Sequence, residues 1–202
     1  MRCALRALPA LAVVVVAFTT ALAMPSTPLP SGSASPGTVA IDAPVPPPPV
    51  SQEDHDQLRA RELAVPVVGV ARDDLHDSFG DLRGLRQHEG LDLAAPTGTP
   101  VVAVDDGTIA KLFVSIAGGI AIYEFDPTTT YAYYYAHLDG YAEGLHEGQV
   151  VKRGDVIGYV GTTGNAGETA HLHFAILKLG PEKRWWEGTP INPYLVLRGV
   201  VK

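Results

Sequence analysis

The chain has 202 residues, of which 46% are hydrophobic and 18% are charged, a composition typical of a globular protein. Fifteen lysines and arginines against 22 aspartates and glutamates give a net charge of −7. This acidic balance excludes the basic footprint of a protein that binds nucleic acid. The single cysteine, Cys3, excludes a disulfide scaffold and a thiolate metal cluster. Any bound metal is therefore expected to have nitrogen and oxygen ligands.

Residues 1–23 have the layout of a secretory signal peptide. Arg2 and Arg6 precede an apolar run over residues 10–18, and residues 21–23 read Ala-Leu-Ala, which matches a cleavage site. The apolar run is shorter than the roughly 20 residues that span a bilayer. We expect a periplasmic or secreted protein without a stable membrane anchor after cleavage, and retention of the segment as an anchor is the alternative.

Three further segments follow along the chain. Residues 24–50 are rich in proline, which predicts an extended, semi-rigid linker. Residues 51–65 form a charged lead-in, in which Ser51 followed by two acidic residues predicts the start of a short helix. Residues 66–202 are expected to form one folded domain.

The domain consists of short β-rich runs separated by glycine and proline. Long amphipathic helical patterns are not found after Leu63. We therefore predict a mainly antiparallel β fold with few or no long helices, built as a small sandwich or a partly open barrel. Hairpin turns are expected at Asp106-Gly107 and at residues 126–130.

His88 and Asp92 form the first pair of candidate functional residues. Residues four apart share a face on a strand or a helix, and the alternating leucines around Asp92 favour a strand. Imidazole and carboxylate groups are ligands that zinc accepts. A surface ion pair is the simpler alternative. The helical zinc-protease motif H-E-x-x-H does not fit, because its second histidine is absent and Gly90 interrupts the helix.

His171 and His173 form the second pair. On a strand they share one face, while Leu172 and Phe174 enter the core. Two imidazoles side by side repel when both are charged, so the pair points to metal binding or proton transfer.

A third candidate is His137, at the end of a tyrosine-rich run. Strand alternation predicts that Tyr131, Tyr133, Tyr135 and His137 share one face. The tyrosines are explained by their preference for strands, which leaves His137 as the functional candidate.

The three motifs occur in a fixed order: R-Q-H-E-G-L-D at 86–92, A-H-L at 136–138 and H-L-H at 171–173, with glycine-rich turns between them. This pattern resembles the lysostaphin-type zinc metallopeptidases, which are bacterial cell-wall endopeptidases that include the LytM proteins. The resemblance covers about residues 66–197. It implies an antiparallel β-sheet groove, one zinc ion per chain and the peptide part of peptidoglycan as substrate, and it implies nothing about oligomeric state.

The resemblance also assigns roles to residues. It implies that His88, Asp92 and His173 are the zinc ligands and that His137 and His171 are the catalytic histidines. Three protein ligands leave one position for a water molecule, whose pKa zinc lowers, and a histidine takes its proton. Some members carry a transition-state tyrosine where this chain has Leu82, so that role is assigned to no residue here.

Three points stay open in the sequence. A catalytically silent regulator of a cell-wall amidase is the alternative function, and a lipoyl-like carrier is suggested by residues 151–158. The loops at 115–119 and 162–169 are candidates for the groove rim. The pair Trp185-Trp186 fits either the groove or the core.

Overall fold

The computed structural model describes residues 46–198. The predicted signal peptide at 1–23, Cys3 and most of the predicted linker at 24–50 lie outside the described residues. Within the described range, no helix combines the length and the apolar character needed to cross a membrane.

The described residues form two short helices and a predominantly antiparallel β structure. The helices are α1 (Gln52–Ala60) and α2 (Pro193–Leu197), with a short 3₁₀ turn at Arg72–Asp74. The strands are β1 (Leu82–Arg83), β2 (Arg86–Gln87), β3 (Leu91–Ala94), β4 (Pro100–Val102), β5 (Gly107–Ser115), β6 (Gly119–Phe125), β7 (Tyr131–Tyr141), β8 (Val150–Val151), β9 (Val156–Val160), β10 (His171–Leu179) and β11 (Gly188–Ile191).

Nine of these strands form one open sheet with the order β11-β10-β7-β6-β5-β8, in the described part of the chain. Strand β3 pairs with β10, and β9 pairs with both β4 and β7. Strands β1 and β2 form a separate two-stranded ribbon. The prediction of a mainly antiparallel β fold is confirmed.

Only one of the two predicted hairpins has the expected pairing. Strands β6 and β7 pair across residues 126–130, where Asp126 accepts hydrogen bonds from the backbone N–H groups of Thr128, Thr130 and Tyr131. The hairpin predicted at Asp106-Gly107 is wrong, because β4 pairs with β9 and β5 pairs with β6 and β8. Turn chemistry fixes a change of direction there, whereas the partner strand is chosen by contacts distant in sequence.

The two faces of the central strands differ in character. Along β10, Leu172, Phe174 and Ile176 are fully buried in the core, whereas His171 and His173, which alternate with them, lie on the opposite face. Strand β7 continues the division, since its tyrosines opposite Phe174 and Ile176 are also fully buried. One face of the sheet is therefore the core, and the other carries the polar candidates.

Helix α1 packs on the core side and is held by polar contacts at its N-terminal end. Ser51 and Asp54 form a reciprocal capping box, so the predicted helix start is present in the structure. Asp54 also accepts hydrogen bonds from the hydroxyl of Tyr131 at 3.0 Å and from Nζ of Lys178 at 2.8 Å. Since Leu58 is completely buried in the core, residues 51–65 pack in the same unit as the strands.

Glu124 is a buried carboxyl on the core side of β6. Its Oε2 accepts a hydrogen bond from the hydroxyl of Tyr135 at 2.6 Å, and its Oε1 has no hydrogen-bond partner among the described residues. Burial raises the pKa of Glu124 to about 8 in spite of the Tyr135 contact, and Asp105 is one of three nearby carboxylates that act in the same direction as burial. The group is therefore neutral in the folded protein at pH 7.

The raised pKa of Glu124 predicts that the folded protein loses stability as the pH rises. Between its ordinary pKa of 4.5 and about 8, the folded protein keeps a proton that the unfolded chain has released, so stability falls through this window and levels off above it. The free energy of unfolding of Glu124→Gln minus that of wild type is therefore expected to increase by more than about 1 kcal/mol from about pH 5 to about pH 8.

Urea unfolding at the two pH values measures this gain. The matched control is Glu143→Gln, which alters an exposed carboxyl in a turn. An unchanged difference between Glu124→Gln and wild type across this range would contradict the prediction.

Candidate metal centre

Three candidate ligand atoms converge on one point. Nε2 of His88 lies 2.8 Å from Nδ1 of His173 and 3.0 Å from Oδ1 of Asp92, and that Oδ1 lies 3.1 Å from Nδ1 of His173. No other group of at least three histidine, cysteine or acidic side chains so placed occurs among residues 46–198. Two imidazole nitrogens and a carboxylate oxygen are a donor set that suits Zn²⁺, so these residues fit the implied ion.

Strand register brings the ligands together. Asp92 of β3 lies directly opposite His173 of β10, so both side chains project from the polar face of the sheet. His88 reaches the same point from outside a strand, because the chain bends at Gly90 between β2 and β3. The prediction that His88 and Asp92 share one uninterrupted strand is therefore wrong, although the structure does bring the two side chains together.

Backbone carbonyls orient three of the four histidines. Nδ1 of His88 lies 2.7 Å from the Ser78 carbonyl oxygen, and Nδ1 of His171 lies 2.9 Å from that of Thr169. Nδ1 of His137 lies 2.8 Å from the carbonyl oxygen of residue 163. Since a carbonyl only accepts hydrogen bonds, each Nδ1 carries the proton. In the neutral rings, Nε2 then has a free lone pair.

His137 takes an unusual backbone conformation. Its φ is +63°, in the left-handed region that a residue with a side chain rarely adopts. Its N–H donates to the Gly118 carbonyl at 2.8 Å, next to irregular pairing between β6 and β7. The prediction that His137 shares a face with the buried tyrosines is wrong, because this conformation turns the imidazole to the polar face. Its ring centroid lies 4.9 Å from that of His171 and 5.9 Å from that of His173.

His171 completes the cluster without being a candidate ligand. Its Nε2 is buried, has no hydrogen-bond partner among the described residues and lies 3.9 Å from Oδ2 of Asp92. Burial lowers the pKa of the neighbouring His137, and the charges of His171 and His173 lower it further. His137 is thus favoured in its neutral form, in which Nε2 can accept a proton.

Asp92 is held as a carboxylate. Burial alone would raise its pKa, but hydrogen bonds from His173, His88 and Arg83 hold the pKa well below its usual range. Arg83 contacts Oδ2, the oxygen that faces away from the imidazole pair. The acid therefore presents one oxygen to the centre, while a guanidinium holds the other.

A cavity of about 660 Å³ opens at the centre. His173 and His137 line it together with residues of the β1–β2 ribbon. Ala117, Gly118 and Asn165 also belong to the lining, so both predicted rim loops reach the cavity. The whole lining is Arg83, Leu85, Arg86, Gln87, His88, Glu89, Ala117, Gly118, Tyr134, Ala136, His137, Asn165 and His173.

Sequence reasoning missed Gly90 and Arg83 as contributors to the centre. A Cβ atom at position 90 would lie 2.5 Å from Cε1 and 2.8 Å from Nε2 of His173, so only glycine leaves room for this ring. Gly90 lies inside the H-E-G-L-D motif, so the sequence does indicate that this position is part of the centre. The sequence gives no such indication for Arg83, because its contact with Asp92 depends on how the ribbon folds.

We predict that Gly90→Ala weakens zinc binding at least tenfold without unfolding the protein. The added methyl group overlaps the His173 ring and the Phe174 carbonyl oxygen, and the ring is the easier of the two to displace. Competition with a zinc chelator measures the affinity, and circular dichroism checks the fold. Gly140→Ala is the matched control, since nothing lies within 4 Å of the added Cβ. Equal zinc affinity in both variants would contradict the prediction.

Comparison with known proteins identifies the family. The sequence model of peptidase family M23 matches residues 86–193, which is just over half of the chain. The L-Ala–D-Glu endopeptidase of Bacillus subtilis (strain 168) is 37% identical over 130 residues, which cover 60% of this chain and 38% of the relative. The peptidoglycan DD-endopeptidase ShyC of Vibrio cholerae is 34% identical over 109 residues, which cover 54% of this chain and 24% of that relative.

A solved structure agrees with this result. The antimicrobial peptidase lysostaphin from Staphylococcus simulans aligns with a TM-score of 0.54 at 26% identity, covering 69% of this chain and 55% of that one. The chain spans less than two-fifths of the length of the two curated relatives. The resemblance to lysostaphin-type metallopeptidases is nevertheless confirmed, and this chain belongs to peptidase family M23.

Proposed function

We propose that this protein is a zinc-dependent endopeptidase that hydrolyses peptide bonds in the crosslinks of peptidoglycan. The observation that carries the proposal is the convergence of Nε2 of His88, Oδ1 of Asp92 and Nδ1 of His173 beside two further histidines. A structural metal site has no use for the two additional imidazoles, whereas hydrolysis of an amide needs groups that accept and return a proton.

His88, Asp92 and His173 would hold one zinc ion. When bound with an open coordination position, zinc lowers the pKa of a water molecule and polarises a carbonyl group. Arg83 would position the carboxylate by holding Oδ2, and Ser78 would fix the tautomer of His88 through its carbonyl.

His171 and His137 would move the protons. Nε2 of His171 is the buried, unpartnered nitrogen beside the centre, which suits it to accept a proton from the attacking water. His137 lines the cavity and has its Nε2 free as well, so it can hold a proton near the leaving amine or the oxygen of the scissile carbonyl. No serine or cysteine nucleophile is required.

The relatives and the predicted export of the chain support the substrate class. The matched relatives are named as endopeptidases for L-Ala–D-Glu and for peptidoglycan. The predicted signal peptide at 1–23 would deliver the chain to the periplasm or the exterior, where peptidoglycan lies. We therefore place the activity outside the cytoplasm and direct it at the peptide part of this polymer.

Two substitutions separate metal binding from proton transfer. We expect His173→Ala to lose zinc and activity together, because it removes a ligand atom. His137→Ala is expected to keep one zinc per chain and to lose activity by about 10²- to 10⁴-fold, the usual contribution of a general acid or base. Elemental analysis and turnover of both purified variants measure these effects. Full activity in His137→Ala would contradict the assignment.

Hydrolysis of defined muropeptides tests the function itself. Mass spectrometry should detect new amino termini in crosslinked muropeptides, a chelator should abolish them, and added zinc should restore them. Protein that binds zinc, cleaves no muropeptide and stimulates an amidase would instead establish the regulator alternative. Protein that contains no zinc after loading would overturn the metal assignment.

A further inference from the structure

Aromatic side chains form a continuous strip on the polar face of the sheet, leading away from the metal centre. The ring of Tyr134 lies 6.0 Å from that of His173 and 4.5 Å from that of Tyr123. Tyr123 then contacts Trp185 at 4.8 Å. The strip widens at its far end, where Trp185 contacts Phe113 at 5.2 Å and Trp186 at 5.0 Å.

The pairing register explains why these residues share a face. Tyr123 of β6 lies opposite Tyr134 of β7, and Tyr134 lies opposite Ala175, two residues beyond His173 on β10. The strip is thus a direct continuation of the surface that carries the candidate zinc ligands. Neither tryptophan belongs to the buried core, so the alternative of a core position for Trp185-Trp186 is wrong.

A braced loop presents the two tryptophans. Arg184 forms ion pairs with both Glu182 and Glu187, the latter at 3.2 Å, and thereby ties together the residues on either side of the tryptophans. Trp186 is 57% exposed and Phe113 is 37% exposed. Large aromatic side chains that stay exposed to water next to one another are characteristic of a recognition surface.

The chemical composition of peptidoglycan indicates which of its parts fits the aromatic surface. The peptides of peptidoglycan consist mainly of alanine, glutamate and a diamino acid, whose side chains are small or charged and offer no flat apolar face. Its amino sugars do have one, since one side of a pyranose ring is a layer of C–H groups that packs on an aromatic face. Arg184, Glu182 and Glu187, in the same loop as the tryptophans, carry groups that can form hydrogen bonds with hydroxyl and N-acetyl groups.

We infer that the surface formed by Trp185, Trp186 and Phe113 binds an N-acetylated amino sugar of the glycan strand while the stem peptide lies at the metal centre. This inference rests on the proposed function, because it takes the substrate to be peptidoglycan. It assigns the enzyme a preference for stem peptides that are still attached to sugar.

Intrinsic fluorescence tests the sugar site without any catalysis. The chain has two tryptophans, and both lie in the proposed site. Titration of the zinc-loaded wild-type protein with the peptide-free disaccharide of N-acetylglucosamine and N-acetylmuramic acid should give a saturable change in emission. Trp186→Ala should raise the apparent Kd at least tenfold, whereas Trp186→Phe should keep it within about threefold because an aromatic face remains.

Val150→Ala is the matched control for these variants. It shortens an exposed apolar side chain, 70% accessible, on strand β8, and it should leave the Kd unchanged because Val150 pairs with Thr108 at the start of β5, five residues before Phe113. An emission that does not respond to millimolar disaccharide would overturn the inference. An equal Kd in Trp186→Ala and wild type would also overturn it.

A second measurement compares two substrates that differ only in the sugar. The crosslinked stem peptide with its disaccharide should have a kcat/KM at least tenfold above that of the same peptide without it, and this ratio should fall toward one in Trp186→Ala. A ratio of one in wild type would contradict the sugar site while leaving the endopeptidase function intact. Cleavage of neither substrate would contradict the endopeptidase function, and the fluorescence titration would then decide the sugar site by itself.

Discussion

The register of β3 against β10 is the constraint on which the rest of the site depends. It sets Asp92 opposite His173, and the pairing of β10 with β7 sets His173 opposite Ala136. A slip of one residue would turn Asp92 toward the core and a leucine toward the cavity. The register is fixed by the buried partners on the other face, chiefly Leu91 and Phe174, since a carboxylate in their place would be costly to bury. The apolar core thus determines the position of the polar centre.

Local backbone geometry then sets the orientation of the histidines that the strand register brings together. The left-handed conformation of His137 brings its imidazole onto the polar face, and carbonyl groups in flanking loops set the tautomers of His88, His137 and His171. A conformation of this kind costs about 1–3 kcal/mol and persists only where the surroundings hold it. Here the hydrogen bond from the His137 N–H to Gly118 is one such restraint. The strain lies at the position proposed to transfer a proton, which is where stored strain is commonly found.

The sequence predicts the features that depend on neighbouring residues and misses those that depend on distant ones. The H-L-H motif was correctly placed on a strand because alternation is a local property, and the helix start at Ser51 was found for the same reason. The face of His137 was mispredicted because alternation assumes regular φ values. The hairpin at Asp106-Gly107 was mispredicted because a turn does not specify its partner strand. Grouping His88 and Asp92 with His173 came from the family resemblance, since spacing alone does not bring residues 81 or more positions apart into contact.

The net charge of the molecule does not explain how it recognises the cell wall. A net charge of −7 offers no attraction to an anionic polymer. At the centre, Arg83 is paired with Asp92, and the cavity lining contains Glu89 as well as Arg86. The aromatic strip is the surface proposed to bind sugar, and such binding does not depend on charge. Recognition of the cell wall is thus proposed to reside in a short stretch of the polar face.

X-ray absorption spectroscopy at the zinc edge tests the central claim most directly, because it counts the imidazoles bound to the ion. The account predicts two imidazole nitrogens with oxygen ligands in the zinc-loaded protein, and the same count in His137→Ala and His171→Ala. Three or more imidazoles in wild type, or the loss of one in either variant, would contradict it.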